Sequence, residues 1–182
     1  IYYWHGKDSN NVGISNNIKR LPNIINNLKN LKNLWVSGLW GKNFDLVDLS
    51  PLSSLDNLEQ LVFHCTKVSD LSPLTSLHNL RAIVFYQTQI SDLSPLKNLT
   101  NLQTIWCHST QISDLSPIAG LVNLIQFHCG IMGVSDLSPL SNLIKLRQLF
   151  CYLTKVSDLS AIARLNKIEM LCTSDECRAG TS

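Results

Sequence analysis

LRAIVFYQTQISDLSPLKNLTN, residues 80–101, is followed directly by LQTIWCHSTQISDLSPIAGLVN, residues 102–123. The two segments have the same length and carry the motif Ser-Asp-Leu-Ser-Pro at the same position. The similarity extends in both directions, since one aspartate recurs every 22 residues at Asp48, Asp70, Asp92, Asp114, Asp136 and Asp158. A fixed period of this length is typical of a solenoid of stacked coils.

The apolar positions keep the same phase in every repeat. One set comprises Leu58, Leu80, Leu102, Leu124, Leu146 and Ile168, and the set three residues later comprises Leu61, Ile83, Ile105, Phe127, Leu149 and Leu171. We expect each repeat to form a short strand, a turn and a short helical or 3-10 return segment. A single coil of this kind cannot bury its leucines, so stacking must build one continuous core.

A serine stands at the start of each return segment, before a proline in five repeats and before Ala161 in the last. Serine is a favoured N-cap, and proline fits the first helical position because its missing N–H would be unbonded there. We therefore expect these serines to cap the short helices. The repeated aspartates are interpreted as structural, since catalysis does not need one copy in every coil.

The unit Leu-xx-Leu-xx-Leu-x-(Phe/Cys)-xx-Thr-x-(Val/Ile)-Ser-Asp-Leu-Ser-Pro-Leu resembles the bacterial leucine-rich repeat of the internalin type over about residues 45–178. The stretch from Leu21 to Ile25 is similar to a variant of the same superfamily. The resemblance implies a leucine-rich-repeat solenoid, with a curved parallel sheet on the concave side and short helical or 3-10 turns on the convex side. The family places Asn where this chain has Thr66 and its equivalents; Met132 replaces that residue in one coil, so we expect a local irregularity there.

The repeat defines a domain organisation with an insertion. The spacing from Leu31 to Leu58 is 27 residues instead of 22, which predicts a projecting bulge that carries Trp40 and Phe44. We predict an N-terminal cap or irregular segment at 1–13, a solenoid of about seven to eight coils at 14–178 with the insertion near 37–46, and a tail at 179–182.

Alternation along each strand places every second residue on the outer face of the sheet, in rows that run from coil to coil. One row contains Trp35, Val62, Val84, Trp106, His128, Phe150 and Cys172, and the next contains Ser37, His64, Tyr86, His108, Gly130, Tyr152 and Ser174. These rows are uncharged and rich in the aromatic residues that dominate protein interfaces. An alternative is that they reflect strand propensity alone. We predict a partner-binding surface formed by Trp35, Val62, His64, Val84, Tyr86, Trp106, His108, His128, Phe150 and Tyr152.

The six cysteines do not suggest a disulfide framework. Cys107, Cys129 and Cys151 share one inward position and should form a column of buried free thiols. We expect Cys65 and Cys172 to point toward the sheet face or its rim, and a disulfide from Cys172 to the terminal coil remains open. Abundant thiols favour a reducing compartment, either the bacterial cytoplasm or a host cytosol reached by a delivered effector, over the cell surface.

Several function classes are disfavoured. The chain of 182 residues is 45% hydrophobic and 15% charged, as expected for one soluble domain without a membrane-spanning segment. Its Lys and Arg residues are dispersed rather than clustered, which argues against nucleic-acid binding. His64 and His108 lie two coils apart, about 10 Å, which is too far for joint metal ligation. No catalytic or cofactor motif is recognisable, so we expect neither an enzyme nor a cofactor.

The sequence therefore predicts a protein-recognition module that is monomeric when unbound. The resemblance implies two settings: an effector or virulence-type module that engages host proteins, or an inhibitor or immunity-type protein that neutralises a bacterial one. One alternative is carbohydrate binding, with Trp106 and Tyr86 stacking on sugar rings. Another is a targeting domain of a larger enzyme.

Overall fold

The protein is represented by a computed structural model that describes residues 11–14, 19–36 and 45–173. Within these residues, eight parallel strands form one sheet in sequence order. The strands are β1 Asn11–Ile14, β2 Asn33–Val36, β3 Gln60–Val62, β4 Ala82–Val84, β5 Thr104–Trp106, β6 Gln126–His128, β7 Gln148–Phe150 and β8 Met170–Cys172. The leucine-rich-repeat solenoid predicted from the 22-residue period is confirmed.

The sheet register follows the repeat directly. Leu61 pairs with Ile83, and Ile83 pairs with Ile105, so equivalent residues of successive coils are lateral neighbours. The 27-residue step between Leu34 and Leu61 keeps the same pairing. The extra residues are therefore accommodated between the strands without a change of register.

On the other side of each coil the chain forms a short 3-10 helix. These helices are Asn23–Asn27, Ser50–Leu52, Ser72–Leu74, Ser94–Leu96, Ser116–Ile118, Ser138–Leu140 and Ser160–Ile162. The expected serine capping is wrong: no serine side chain caps a described helix, and serine is instead the first helical residue.

The aspartate two residues earlier satisfies the serine N–H. Ser50 N donates to Asp48 Oδ1 at 2.7 Å, and its hydroxyl donates to Oδ2 at 3.0 Å. The pKa of Asp48 is lowered by these two bonds, chiefly the backbone one. The same backbone bond recurs in every later coil, as in Ser94 N to Asp92 Oδ1 at 2.7 Å. The repeated aspartates therefore have the structural role that their periodicity predicted.

The core is one continuous cluster between the sheet and the 3-10 helices. The leucine positions of the central coils are fully buried, and Phe63 stacks on Phe85 with ring centroids 5.7 Å apart. The predicted inward column is confirmed, since Cys107, Cys129 and Cys151 are buried free cysteines. Burial raises the pKa of Cys151 to about 11, so this thiol is protonated and unreactive.

The turn after each strand is held by the threonine that replaces the family's asparagine. Thr66 Oγ1, for example, donates to the carbonyl oxygen of Phe63 at 3.0 Å. The residue before this threonine, or before Met132 in one coil, adopts a positive φ, although glycine never occupies the position. These residues are Cys65, Gln87, Ser109, Ile131 and Leu153, with φ between 53° and 57°.

The irregularity predicted around Met132 is small. Ile131 keeps the same positive φ of 56°, and Met132 is buried with its sulfur 4.0 Å from Cys107 Sγ. One inter-coil bond differs: Gln111 N donates to the carbonyl of Ile90, and Lys155 N to that of Val134, but no described bond links Gly133 N to the equivalent carbonyl. The substitution therefore removes one backbone bond and leaves the coil intact.

A ladder of side-chain hydrogen bonds from a repeated asparagine also joins neighbouring coils, just before each strand. This ladder was not predicted from the sequence. Asn79 Nδ2 donates to the carbonyl of Asp56 at 2.8 Å, and Asn101 and Asn123 make the same bond one and two coils further on. Lys145 ends this series and donates to Asn123 Oδ1 at 2.7 Å. The signal was present, because these asparagines also recur every 22 residues.

Strand β1 begins at Asn11, three residues before the position at which we expected the solenoid to start. Residues 1–10 of the predicted N-terminal cap or irregular segment, the projecting residues Trp40 and Phe44 and the tail lie outside the described residues. Within the described part of the chain, no helix is long and apolar enough to cross a membrane.

Candidate interaction surface

The outer side of the sheet carries the predicted rows of side chains. In β5, Ile105 is fully buried while Thr104 and Trp106 on either side are half-buried, so the strand alternates as expected. The described residues of these rows carry no formal charge at neutral pH. We define the aromatic face as His64, Tyr86, Trp106, His108, His128, Phe150 and Tyr152.

The outer column of the aromatic face is a continuous stack of three rings. His64 and Tyr86 stack with centroids 4.3 Å apart and planes 7° apart, and Tyr86 stacks on His108 at 4.4 Å and 11°. Both faces of the tyrosine ring are therefore covered by imidazoles. A ligand that approaches this column therefore contacts the edges of the stacked rings and not the faces of Tyr86.

The inner column begins two coils later, at Trp106 in the coil of β5, and runs parallel to the first. Trp106 stacks on His128 with centroids 4.6 Å apart, and His128 lies 4.0 Å from Phe150 at a tilt of 40°. The two polar ring atoms Trp106 Nε1 and His128 Nε2 are buried and have no hydrogen-bond partner among the described residues. Phe150 is only 7% exposed, so this ring offers less surface than its half-buried neighbours in the column, and its contact role stays a prediction.

Gly130 creates a gap in the outer column, and a tyrosine fills it. A Cβ atom at Gly130 would lie 2.7 Å from Cε1 of Tyr152, and 2.8 Å from its Cζ. The Tyr152 ring therefore lies over the backbone at Gly130, in the coil that precedes its own. The sequence analysis placed Gly130 in the row but missed its role; the signal was a single glycine among aromatic residues.

The three histidines of the face are neutral at physiological pH. Burial lowers the pKa of His64 to about 4. Burial and the nearby His64 lower the pKa of His108 to about 4, and burial and His108 lower that of His128 to about 3. These rings therefore behave as aromatic and hydrogen-bonding groups rather than as cations.

The remaining predicted contact residues lie at the other end of the same face. Trp35 pairs laterally with Val62, and Val62 pairs with Val84, so the inner row begins with smaller side chains before it reaches Trp106. All three are half-buried. The structure thus brings every predicted contact residue onto one surface.

Two cysteines differ from expectation. Cys65 is buried rather than exposed at the rim, and its thiol donates to Gln87 Oε1 at 2.8 Å. Cys172 is also buried, and it is disulfide-bonded, with its partner outside the described residues. Cys65 and the cysteines of the inward column are therefore free, and the disulfide that the sequence left open for Cys172 is present.

No group of three or more His, Cys, Asp or Glu residues with metal-binding geometry occurs in the described ranges. His64 and His108 lie on opposite sides of the Tyr86 ring, which separates their imidazoles. The chemistry that this surface offers is apolar contact together with hydrogen bonds to ring edges.

Comparisons with known proteins agree with this architecture. A sequence profile of the family described as leucine-rich repeats, two copies, matches residues 78–120. A search of curated protein sequences finds no match.

Solved structures provide three informative likenesses. An internalin (inlF) from Listeria monocytogenes is 32% identical with a TM-score of 0.73, and the match covers 83% of this chain and 50% of that one. Internalin C2 of the same organism is 28% identical with a TM-score of 0.68, over 82% of this chain and 74% of that one. A leucine-rich-repeat protein of Leptospira interrogans, 18% identical with a TM-score of 0.67 over 88% of this chain and 48% of that one, shows the fold alone.

The repeat, the sheet and these matches define a leucine-rich-repeat protein. More particularly, it is similar to internalins over most of its length, as the sequence resemblance predicted. The chain spans about half the length of the inlF internalin chain that it matches. Proteins of this fold typically act as protein–protein interaction modules rather than as enzymes.

Proposed function

We propose that this chain is a recognition module that binds one specific protein through the aromatic face. The observation that carries the proposal is the pair of parallel ring columns, His64–Tyr86–His108 and Trp106–His128–Phe150. Contiguous aromatic surface exposed to water is costly unless a partner covers it. The rings also hold one another in place, so little conformational entropy is lost when a partner binds.

Electrostatics supports a protein partner over a charged ligand. The rows are formally uncharged and the histidines are neutral, because burial lowers the pKa of each ring. A phosphate backbone would need Lys or Arg residues here. We therefore assign no nucleic acid, metal or cofactor to this face. The two settings implied by the resemblance, a host-directed effector and an inhibitor or immunity-type protein, both require such a surface.

Carbohydrate binding and enzyme targeting remain alternatives. A sugar ring packs on an exposed aromatic face, but Tyr86 has both of its faces covered and Trp106 has one face against His128. This arrangement favours a protein over a glycan. The module could still act as the targeting domain of a larger enzyme, with the same face as its contact surface.

The test is affinity capture from lysates of the source cell and of a host, read by mass spectrometry. The bait is the wild-type chain, a Tyr86→Ala/Trp106→Ala variant or a His78→Ala variant. His78 is exposed and lies off the face, so it controls for the loss of an aromatic ring. Circular dichroism establishes that each bait is folded.

The expected result is a protein retained by the wild type and by His78→Ala, and lost with the double variant. A protein retained equally by all three baits would contradict the aromatic face as the binding site. A captured glycoprotein that is released by deglycosylation would favour the carbohydrate alternative.

A further inference from the structure

The residue that precedes each strand forms a lateral row, which we call the strand-start edge. Backbone bonds join its members: Gln103 N donates to the carbonyl of Arg81, Ile125 N to that of Gln103, and Arg147 N to that of Ile125, each at 2.8 Å. The described members are Lys32, Glu59, Arg81, Gln103, Ile125, Arg147 and Glu169. This row borders the face of the sheet on one side.

Charge is distributed unevenly along this edge. Lys32 Nζ pairs with Glu59 Oε1 at 2.9 Å near the first coils, and Arg147 Nη1 pairs with Glu169 Oε1 at 2.7 Å near the last. Arg81 follows Glu59 along the edge, with its Nε 3.8 Å from Glu59 Oε2, and between Arg81 and Arg147 stand Gln103 and Ile125, both half-buried. The gap in the charged edge therefore lies in the coils of β5 and β6, which carry Trp106 and His128.

Two exposed aliphatic residues lie beside this gap, in the segments that precede β6 and β7. Val122 lies three residues before Ile125 and is 47% exposed, and its lateral neighbour Ile144 is 60% exposed. The equivalent residues of the other coils are polar, namely Asp56, His78, Thr100 and Asn166. Isolated exposed aliphatic residues are common on protein surfaces, whereas adjacent ones beside an uncharged edge indicate a contact region. Thr104 and Gln126, which hydrogen-bond to each other at 3.4 Å, lie between this edge and the aromatic face.

We propose that the partner of the aromatic face also crosses the strand-start edge, where an apolar, uncharged segment of it packs on Val122, Ile125 and Ile144. This inference rests on the proposed function and extends its contact surface around the edge of the sheet. Charge supports this choice of partner segment: a charged side chain buried here would lose its hydration without an opposite charge in Gln103 or Ile125 to pair with. Arg147 is engaged by Glu169, on the side away from Ile125.

The chemistry can be tested before the natural partner is identified. The probe is a displayed library of random 12-residue peptides, selected on the immobilised chain. The selected peptides are then measured against the wild type, Val122→Asp/Ile144→Asp, the matched control His78→Asp/Thr100→Asp and Trp106→Ala. All four aspartates enter exposed positions of the same flank, so thermal unfolding should be nearly unchanged among the first three chains.

We expect enriched peptides to be apolar and uncharged, and to bind Val122→Asp/Ile144→Asp at least about tenfold more weakly, which corresponds to about 1.4 kcal/mol. The control should bind as the wild type does.

Enriched peptides that are charged, peptides insensitive to the edge variant, or no enrichment at all would overturn the proposal. Peptides weakened by Trp106→Ala but not by the edge variant would overturn it while leaving the proposed function standing. A wild-type dimer that the edge variant dissociates, seen by sedimentation, would assign the surface to self-association instead.

Discussion

The side chains on the two sides of the sheet change in size in opposite directions along the solenoid. The interior column runs Phe63, Phe85, Cys107, Cys129 and Cys151, and the neighbouring inner row of the face runs Val62, Val84, Trp106, His128 and Phe150. In this inner row the run of large rings that starts at Trp106 therefore begins at the coil where the interior column changes from Phe to Cys. The interior volume is partly restored within β6, where Phe127 occupies a position that holds Leu or Ile in the other coils.

This difference shows that the two sides obey separate constraints. The interior must be filled to a nearly constant density, so a small residue at one position is matched by a larger one at another. The outer face has no such requirement, and its rings are stacked although nothing in the core demands them. Substitutions on the two sides should therefore differ in how much they lower the free energy of unfolding.

The largest effect is expected for Phe85→Ala. Phe85 is fully buried against Phe63, and its removal leaves a cavity, so we expect a loss of about 3–5 kcal/mol in the free energy of unfolding. Urea unfolding followed by circular dichroism measures it. Tyr86→Ala, one residue further on the face, should cost about 1–2 kcal/mol because two ring contacts are lost. Equal losses from the two variants would mean that the face is part of the core.

An intermediate effect is expected for Gly130→Ala. The new Cβ would lie 2.7 Å from the Tyr152 ring, so the ring must move, at a cost of about 1–3 kcal/mol. A double-mutant cycle with Tyr152→Ala isolates the cause by urea unfolding. In that background Gly130→Ala should be nearly neutral; an unchanged cost would locate the strain in the backbone instead of the ring.

The smallest effect is expected from pH. The pKa of His64 and of His108 is about 4 in the folded chain, and that of His128 about 3, against about 6.5 when unfolded. As pH falls below about 6.5, the unfolded chain takes up protons first, so the histidine contribution to the free energy of unfolding declines progressively toward pH 4; this contribution is constant above about pH 7. We expect less than about 1 kcal/mol per ring between pH 7 and pH 5.5, because water screens half-exposed rings.

The matched control for this prediction is His108→Phe, which retains a ring but cannot titrate. Urea midpoints of this variant should fall less steeply over the same pH range than those of the wild type. Identical slopes for the two proteins would show that His108 is not responsible. Asp48 and Asp158 titrate at lower pH, since hydrogen bonds from Ser50 and Ser160 lower the pKa of these carboxyls.

The features that depend on the 22-residue period could be predicted from the sequence. The strand rows, the cysteine column and the stacking order follow from a 22-residue repeat with alternation inside it, because parallel neighbours share a register. The serine role was misassigned for a local reason: aspartate and serine both favour helix starts, and their spacing alone does not show which one accepts the bond. The asparagine ladder was equally periodic and was overlooked.

Other features could not be read from the sequence. The positive φ at Gln87 and Ile131 has no glycine or asparagine to signal it, and the turn geometry of the stacked coils imposes it. The lean of Tyr152 over Gly130 and the burial of Phe150 depend on how neighbouring rings settle, which is a property of the assembled surface. The uncharged gap at Ile125 becomes visible once the lateral row of the strand-start edge is known.

The in-order pairing of β1 through β8 has an evolutionary consequence. Because each strand pairs with its sequence neighbours, duplication or deletion of one 22-residue unit would preserve the register of all the others. Such an event would lengthen or shorten the ring columns by one position and leave the remaining contacts in place. Recombination between repeats could therefore change the residues of the aromatic face one coil at a time. Each intermediate variant would still fold.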